Sequence, residues 1–113
     1  VYRENIIGSA PEFAYVDGQL LRQNKLLGNI SLGPGKLEHI HARTGRTAIL
    51  AGGNGDVDLE MLQEARFRLV IVHDDVEREY VVTAAAEKLL EAGREGGWTM
   101  VSMKDDWSRI FND

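Results

Sequence analysis

The sequence contains no cysteine, which excludes disulfide bonds, cysteine zinc sites, iron–sulfur clusters and thiol nucleophiles. A chain of 113 residues without disulfides depends on an apolar core, and this length can supply one. The lack of cysteine also fits a reducing compartment, so we expect a cytoplasmic protein. The first residue is Val1, which predicts a processed, trimmed or excised piece of a longer chain.

Long hydrophobic runs are also missing. The longest is Leu69-Val70-Ile71-Val72, far below the roughly 18 apolar residues of a membrane-spanning helix, so no membrane partner is expected. Hydrophobic residues make up 43% and charged residues 27% of the chain, as in ordinary folded proteins. We therefore expect one small soluble domain over residues 1–113.

Charge is unevenly distributed along the chain. Residues 1–53 carry six basic and four acidic side chains, whereas residues 54–113 carry seven basic and fourteen acidic ones. The net charge of −5 therefore comes from the second half. Two surfaces of opposite sign can steer a partner, and a solvated charged surface is the simpler reading.

The first half reads as strands and turns. Apolar residues flank Asp17-Gly18, a strong signal for a two-residue hairpin turn. Gly33-Pro34-Gly35 then interrupts the chain. Residues 36–42 alternate in polarity, Arg43-Thr44-Gly45-Arg46 resembles a turn, and residues 47–51 are apolar again. This pattern predicts a second hairpin over residues 36–51, and hence an all-β N-terminal half.

The second half combines strands and helices. A short helix is expected from Asp56 or Asp58 to Ala65, followed by a strand over residues 66–72. A hairpin about Asp74-Asp75 would pair that strand with residues 77–83. The pattern then predicts a helix over residues 84–92, which Thr83 caps and Gly93 ends. A last strand is expected over residues 98–103. The expected fold is α+β, with a mostly antiparallel sheet, two short helices and a β-β-α-β second half.

Two details of side-chain placement follow from these patterns. The hairpin register puts Arg68 and Glu79 on one face, and Leu69 and Tyr80 on the other. Near the C-terminus the apolar residues recur at helical spacing and are expected to pack as a final turn against the core: Trp107, Ile110 and Phe111.

The segment 36–51 gathers the candidate binding residues of the chain, which are Lys36, His39, His41, Arg43 and Arg46. Arginine side chains hold carboxylates or phosphates in bidentate fashion, and protonated histidines add to the positive field. We therefore expect a non-catalytic protein-binding or assembly domain that uses this surface and needs no cofactor. The expected partner is another protein.

A metal-dependent enzyme is the first alternative. His39 and His41 are two residues apart, so on a strand they point the same way and can chelate a divalent metal such as zinc. His73 would supply a third nitrogen, leaving a position open for a metal-bound water. No other catalytic residues are assigned, because no serine lies in a Gly-x-Ser-x-Gly turn.

A small nucleic-acid-binding domain is the second alternative. Lys36, Arg43 and Arg46 form the kind of basic cluster that contacts phosphates. The isoelectric point of 5.2 argues against it, as does the lack of aromatic residues near Arg43 on which bases could stack. The glycines of Gly33-Pro34-Gly35-Lys36 do not follow the order of a phosphate-binding loop.

Overall fold

A computed structural model describes residues 1–79 and 85–111 of the chain. The chain divides into two compact units, unit 1 (Val1–Thr47) and unit 2 (Ala48–Asp113), and the expected single domain stays a prediction. Within the described ranges, none of the helices is long and apolar enough to cross a membrane. Unit 1 consists of a 3-10 turn and three further elements: Arg3–Asn5, β1 (Pro11–Val16), β2 (Gln19–Leu26) and α1 (Pro34–Thr44).

The first hairpin of unit 1 confirms the sequence prediction. β1 and β2 pair antiparallel, with Tyr15 opposite Leu20 and Val16 opposite Gln19. Between them Asp17 and Gly18 have φ angles of 48° and 82°, the two positive values that a tight hairpin turn requires.

The expected hairpin over residues 36–51 is wrong, because residues 34–44 form helix α1. Pro34 occupies the first helical position, where its fixed φ favours the helix and no backbone donor is lost. Gly45 ends the helix with a φ of 67°, and its N–H donates to the carbonyl of His41 at 2.7 Å. The N-terminal half is therefore not all-β. Leu37 and Ile40 recur at helical spacing, a signal that the short alternation of polarity obscured.

Unit 2 is built on a parallel sheet. Its elements are β3 (Leu50–Gly53), a 3-10 turn (Asp56–Asp58), α2 (Leu59–Glu64), β4 (Phe67–Val72), α3 (Glu87–Glu95) and β5 (Thr99–Ser102). β4 lies in the middle and pairs in parallel with β3 on one side and β5 on the other. The α+β class is confirmed. The described residues contain three α-helices, one antiparallel pair and one parallel sheet, so the mostly antiparallel sheet with two helices is wrong.

The expected hairpin between residues 66–72 and 77–83 is also wrong for its described part. Both edges of β4 are occupied by β3 and β5, so no further strand can pair with it. Residues 76–78 form a turn instead, and the N–H of Glu79 donates to the carbonyl of Asp75 at 3.1 Å. Tyr80, Thr83 and the rest of the expected strand lie outside the described residues.

The core of unit 2 lies between the sheet and its two helices. α2 and α3 contact each other and both contact β4, so they share one face of the sheet. Leu62, Val70 and Leu89 are fully buried there, with Ala51 and Ala65 around them. Gly93 lies inside α3 rather than at its end, and a Cβ there would lie only 3.4 Å from Val70 Cγ2.

The C-terminal segment does not form the expected helical turn. Trp107 is 47% exposed to solvent and Phe111 is 49% exposed, so both residues are only half buried. The carbonyl of Trp107 accepts a hydrogen bond from Arg78 Nη1 at 2.7 Å, which ties this segment to the loop after β4.

Candidate functional site

The carboxyl ends of β3, β4 and β5 lie at one edge of the sheet, because the three strands are parallel. Open parallel sheets bind their ligands in the crevice outside this edge. The segments that follow the three strands begin with Asn54, His73 and Met103. We call these three segments together the carboxyl-edge site.

The loop after β3 is held rigidly by one buried carboxylate. Asp58 Oδ2 accepts the N–H groups of Asn54 at 3.1 Å and of Gly55 at 3.3 Å. A Cβ on Gly53 would lie 2.5 Å from the Cβ of Asp58, so only glycine fits at the end of β3. The close approach of Gly53 to Asp58 fixes the position of the next residue, Asn54, in the carboxyl-edge site.

Asp56 joins the same loop to helix α3. Its Oδ1 accepts the N–H of Leu89 at 2.9 Å, and its own N–H donates to the carbonyl of Ala85 at 2.7 Å. Leu89 is the third residue of α3, so its N–H is one of the donors that a helix cannot satisfy internally. Asp56 was one of the two residues, with Asp58, at which the following helix was expected to begin, and its carboxylate caps α3 instead.

His73 follows β4 directly and is held between two side chains. Its Nδ1 lies 2.5 Å from Glu79 Oε1, and its Nε2 lies 2.9 Å from Asn54 Nδ2. A carboxylate only accepts, so Nδ1 carries a proton and, in the neutral ring, Nε2 accepts from the Asn54 amide. The Glu79 side chain is 7% exposed and that of His73 is 31% exposed. The imidazole is thus oriented from inside the protein and open to solvent on one side.

Asp74 connects the loop after β4 to the end of β5. The Ser102 hydroxyl donates to Asp74 Oδ2 at 2.7 Å, and the Lys104 N–H donates to Oδ1 at 3.1 Å. The Ser102 hydrogen bond lowers the pKa of Asp74 below its ordinary value of 3.8, with further support from the Lys104 N–H.

Asp75 and Arg78 form the third connection of this edge. Burial of the Asp75 carboxyl acts to raise its pKa. Hydrogen bonds from the Arg78 guanidinium and from the backbone N–H groups of Glu77 and Arg78 outweigh burial, so the pKa of Asp75 is lowered. Arg78 Nε donates to Asp75 Oδ2, and Arg78 Nη2 donates to the carbonyls of Met103 and Lys104 at 2.9 and 2.7 Å. A small cavity of about 240 Å³ opens beside these groups and is lined by Asp74, Asp75, Val76, Glu77, Arg78 and Lys104.

The sequence-predicted binding residues all lie in unit 1, on α1 or just after it. Residues two apart on a helix are separated by about 200°, so His39 and His41 point to different sides of α1. The shared face expected for a metal site is therefore wrong, and His73 belongs to unit 2. Across the described ranges, no group of three or more histidine, aspartate or glutamate side chains is arranged to hold a metal ion. His39 and Arg43, four residues apart, do share one side of the helix.

Asn54, Glu79 and Ser102 are the site residues that sequence reasoning missed. The available signal was a glycine-rich stretch after an apolar strand and polar residues after each later strand. That signal depends on recognising parallel strands, which the expected hairpin about Asp74-Asp75 prevented.

Comparison with known proteins adds no functional assignment. No protein-family model matches the sequence, and no curated protein matches it significantly.

Replacing Gly53 tests the packing of the β3 loop. We expect Gly53→Ala to destabilise the protein by about 1–3 kcal/mol, because the new methyl group must displace the buried Asp58. Gly52→Ala is the matched control, since the nearest atom to its Cβ is the Leu69 carbonyl oxygen at 3.8 Å. Urea unfolding of both variants measures the difference, and equal stabilities would contradict the close contact.

The second prediction concerns pH. A carboxylate with a lowered pKa stabilises the folded protein above its ordinary value of 3.8, and this stabilisation disappears as the pH falls through the lowered pKa. Asp74→Asn should therefore reduce the melting temperature at pH 7, with a difference from the parent that shrinks below about pH 4. Asp105→Asn, at a neighbouring exposed position, should show little difference at either pH. A deficit of Asp74→Asn that is unchanged at pH 3 would refute this assignment.

Proposed function

We propose that the chain contributes the acid–base site of an enzyme, located at the carboxyl-edge site of unit 2. The observation that carries the proposal is the arrangement of His73 between Asn54 and Glu79. A histidine with a carboxylate on one ring nitrogen and a reachable second nitrogen has the geometry of a general base.

Each side chain has a distinct role in this proposal. The Glu79 carboxylate holds the ring in one tautomer and stabilises the imidazolium that forms when Nε2 takes a proton. Asn54 donates to Nε2 in the unliganded state, and the hydroxyl of a substrate or a water molecule takes its place during reaction. The rigid loop behind Asn54 keeps this geometry fixed, because Asp58 holds the backbone on either side.

The surroundings favour a small polar substrate. A cavity of about 240 Å³ lies at the same edge of the sheet and is lined by the residues that follow His73 and by Lys104. It is smaller than typical pockets for drug-sized ligands, which have roughly 300–1,000 Å³. Its lining is mostly polar, and the carboxylates of Asp74 and Asp75 already accept hydrogen bonds from the protein's own groups. Hydrolysis of a small ester, with His73 as the general base, is therefore the reaction class that we propose.

Replacing His73 tests the proposal. The purified chain is assayed with p-nitrophenyl acetate and p-nitrophenyl phosphate, each with and without Mg²⁺. We expect turnover in at least one assay, and a fall of about 10²- to 10⁴-fold in His73→Asn, the range typical of a lost general base. Glu79→Gln should retain more activity with an altered pH profile, since its role is positioning.

Two controls separate chemistry from folding. His41→Asn removes an exposed histidine of α1 and should leave turnover unchanged. Circular dichroism checks that His73→Asn remains folded, because His73 also connects two loops. No turnover by the parent in any of the four assays, or full activity of His73→Asn, would contradict the proposal.

Protein binding through α1 is the second proposed function. The observation in its favour is the exposure of the basic residues at the end of the helix, namely His41, Arg43 and Arg46. The structure removes the expected hairpin but leaves these side chains accessible in unit 1. Exposed arginines of this kind bind acidic segments through bidentate hydrogen bonds that salt weakens.

An acidic peptide tests this second function. We expect a fluorescent polyglutamate peptide to bind the parent, more weakly as salt is raised, and the double variant Arg43→Ala/Arg46→Ala to lose most of the binding. Arg22→Ala, an exposed arginine on β2, is the matched control. Fluorescence anisotropy measures each case. Tighter binding of a single-stranded oligonucleotide in the same assay would favour the nucleic-acid alternative, and no peptide binding would refute this function.

A further inference from the structure

A second cavity lies wholly within unit 1 and takes no part in the proposed acid–base site of unit 2. It has a volume of about 790 Å³ and opens between α1 and the segment that leads into β1. We call it the unit-1 cleft. Its volume falls in the range of roughly 300–1,000 Å³ that is typical of small-molecule sites.

The charged lining of the unit-1 cleft has a positive excess. Arg3 and Arg43 contribute two guanidinium groups, against the single carboxylate of Glu4. Arg43 Nη2 donates to the carbonyl oxygen of Glu4 at 3.2 Å, which holds the guanidinium at the wall. A guanidinium has five N–H donors, so this contact leaves others for a ligand.

His39 adds a polar group of fixed orientation. Its Nε2 lies 2.7 Å from the carbonyl oxygen of Asn29, and a carbonyl only accepts, so Nε2 carries a proton. His39 and Arg43 line the same cleft because they are four residues apart on α1. The polar groups of α1 are therefore held in place by contacts within unit 1.

The remaining wall of the unit-1 cleft is apolar and open to water. Ile6 and Leu27 line this wall, and they are 63% and 58% exposed to solvent. Such large exposed apolar side chains beside polar groups are typical of ligand-binding grooves. Covering them removes apolar surface from water, which favours a ligand with an apolar body.

We propose that the unit-1 cleft binds a small organic anion, in which a carboxylate or phosphate group is attached to an apolar body. The oxyanion pairs with Arg43 and Arg3, and the apolar body covers Ile6 and Leu27. Arginine suits this role because its planar fork binds two oxygens of one anion.

Titrations followed by amide NMR test the proposal on the full, isotope-labelled chain. The probes are benzoate, phenyl phosphate, neutral benzyl alcohol and inorganic phosphate. We expect at least one of the two aromatic anions to shift amides of residues lining the cleft. Benzyl alcohol and inorganic phosphate should each bind at least about tenfold more weakly, because benzyl alcohol lacks the anionic group and inorganic phosphate lacks the apolar body. The tighter of the two anions identifies the headgroup.

Two variants and a matched control sharpen the test. Arg43→Ala should weaken binding about 10- to 100-fold, the range for a lost hydrogen bond to a charged group. Arg22→Ala removes an exposed arginine of β2 that does not line the cleft and should change binding less than twofold. Gly8→Leu should obstruct the cleft while the protein stays folded, because Gly8 lines it and a Cβ there meets no atom within 4 Å.

Several results would overturn the proposal. These are equal losses in Arg43→Ala and Arg22→Ala, equal binding of benzyl alcohol and the anions, or shifts confined to unit 2. An acidic peptide that shifts the cleft amides at lower concentration than both small anions would also overturn it, in favour of a protein-docking surface. The hydrolase assays do not bear on these outcomes, so this inference and the proposed acid–base site can fail separately.

Discussion

The parallel pairing of β4 with both of its neighbours is the constraint on which unit 2 depends. Parallel strands need crossover connections, and α2 lies between β3 and β4 while α3 lies between β4 and β5. Val70 on β4 then becomes the buried centre of the core, against α3 and beside Leu62. The same pairing brings the carboxyl ends of all three strands to one edge.

The polar residues at that edge show how a parallel sheet turns its strand ends into a site. Backbone groups leaving the strands need new partners, and Asp56, Asp58, Asp74 and Asp75 supply them. These carboxylates are mostly occupied by N–H groups and so act as structural anchors. His73 differs from them because its second nitrogen faces a neutral amide and its side chain is 31% exposed. The proposed function therefore assigns proton transfer to the histidine, and the aspartates hold its loops.

The two units differ in the surfaces that they present. Unit 2 has an imidazole oriented by Glu79 and a small polar cavity lined by the residues that follow His73, and the proposed function assigns proton transfer to this imidazole. Unit 1 offers a larger cleft with arginines and exposed apolar side chains, which suits binding of an anion with an apolar body. Unit 1 buries only Gly35 among its residues, so its helix and hairpin keep much apolar surface accessible.

The sequence by itself determined those features that depend on neighbouring residues. Asp17-Gly18 specified a hairpin because both positions tolerate positive φ, and the apolar run around Val70 specified a central strand. The helix after the glycine-rich stretch and the last strand also followed from local patterns. The fold class α+β could be predicted from the sequence for the same reason.

Tertiary structure alone decided strand direction and the composition of the site. A run such as residues 66–72 has the same sequence pattern whether its neighbours are parallel or antiparallel, and only long-range pairing with β3 and β5 resolved it. The alternation of polarity in residues 36–42 is compatible with a strand, and the spacing of Leu37 and Ile40 is compatible with a helix. In the structure this segment is helical. Asn54, His73 and Glu79 are separated by up to 25 residues, so no local pattern could join them. They meet because parallel strands end at one edge, where their side chains satisfy each other's hydrogen bonds.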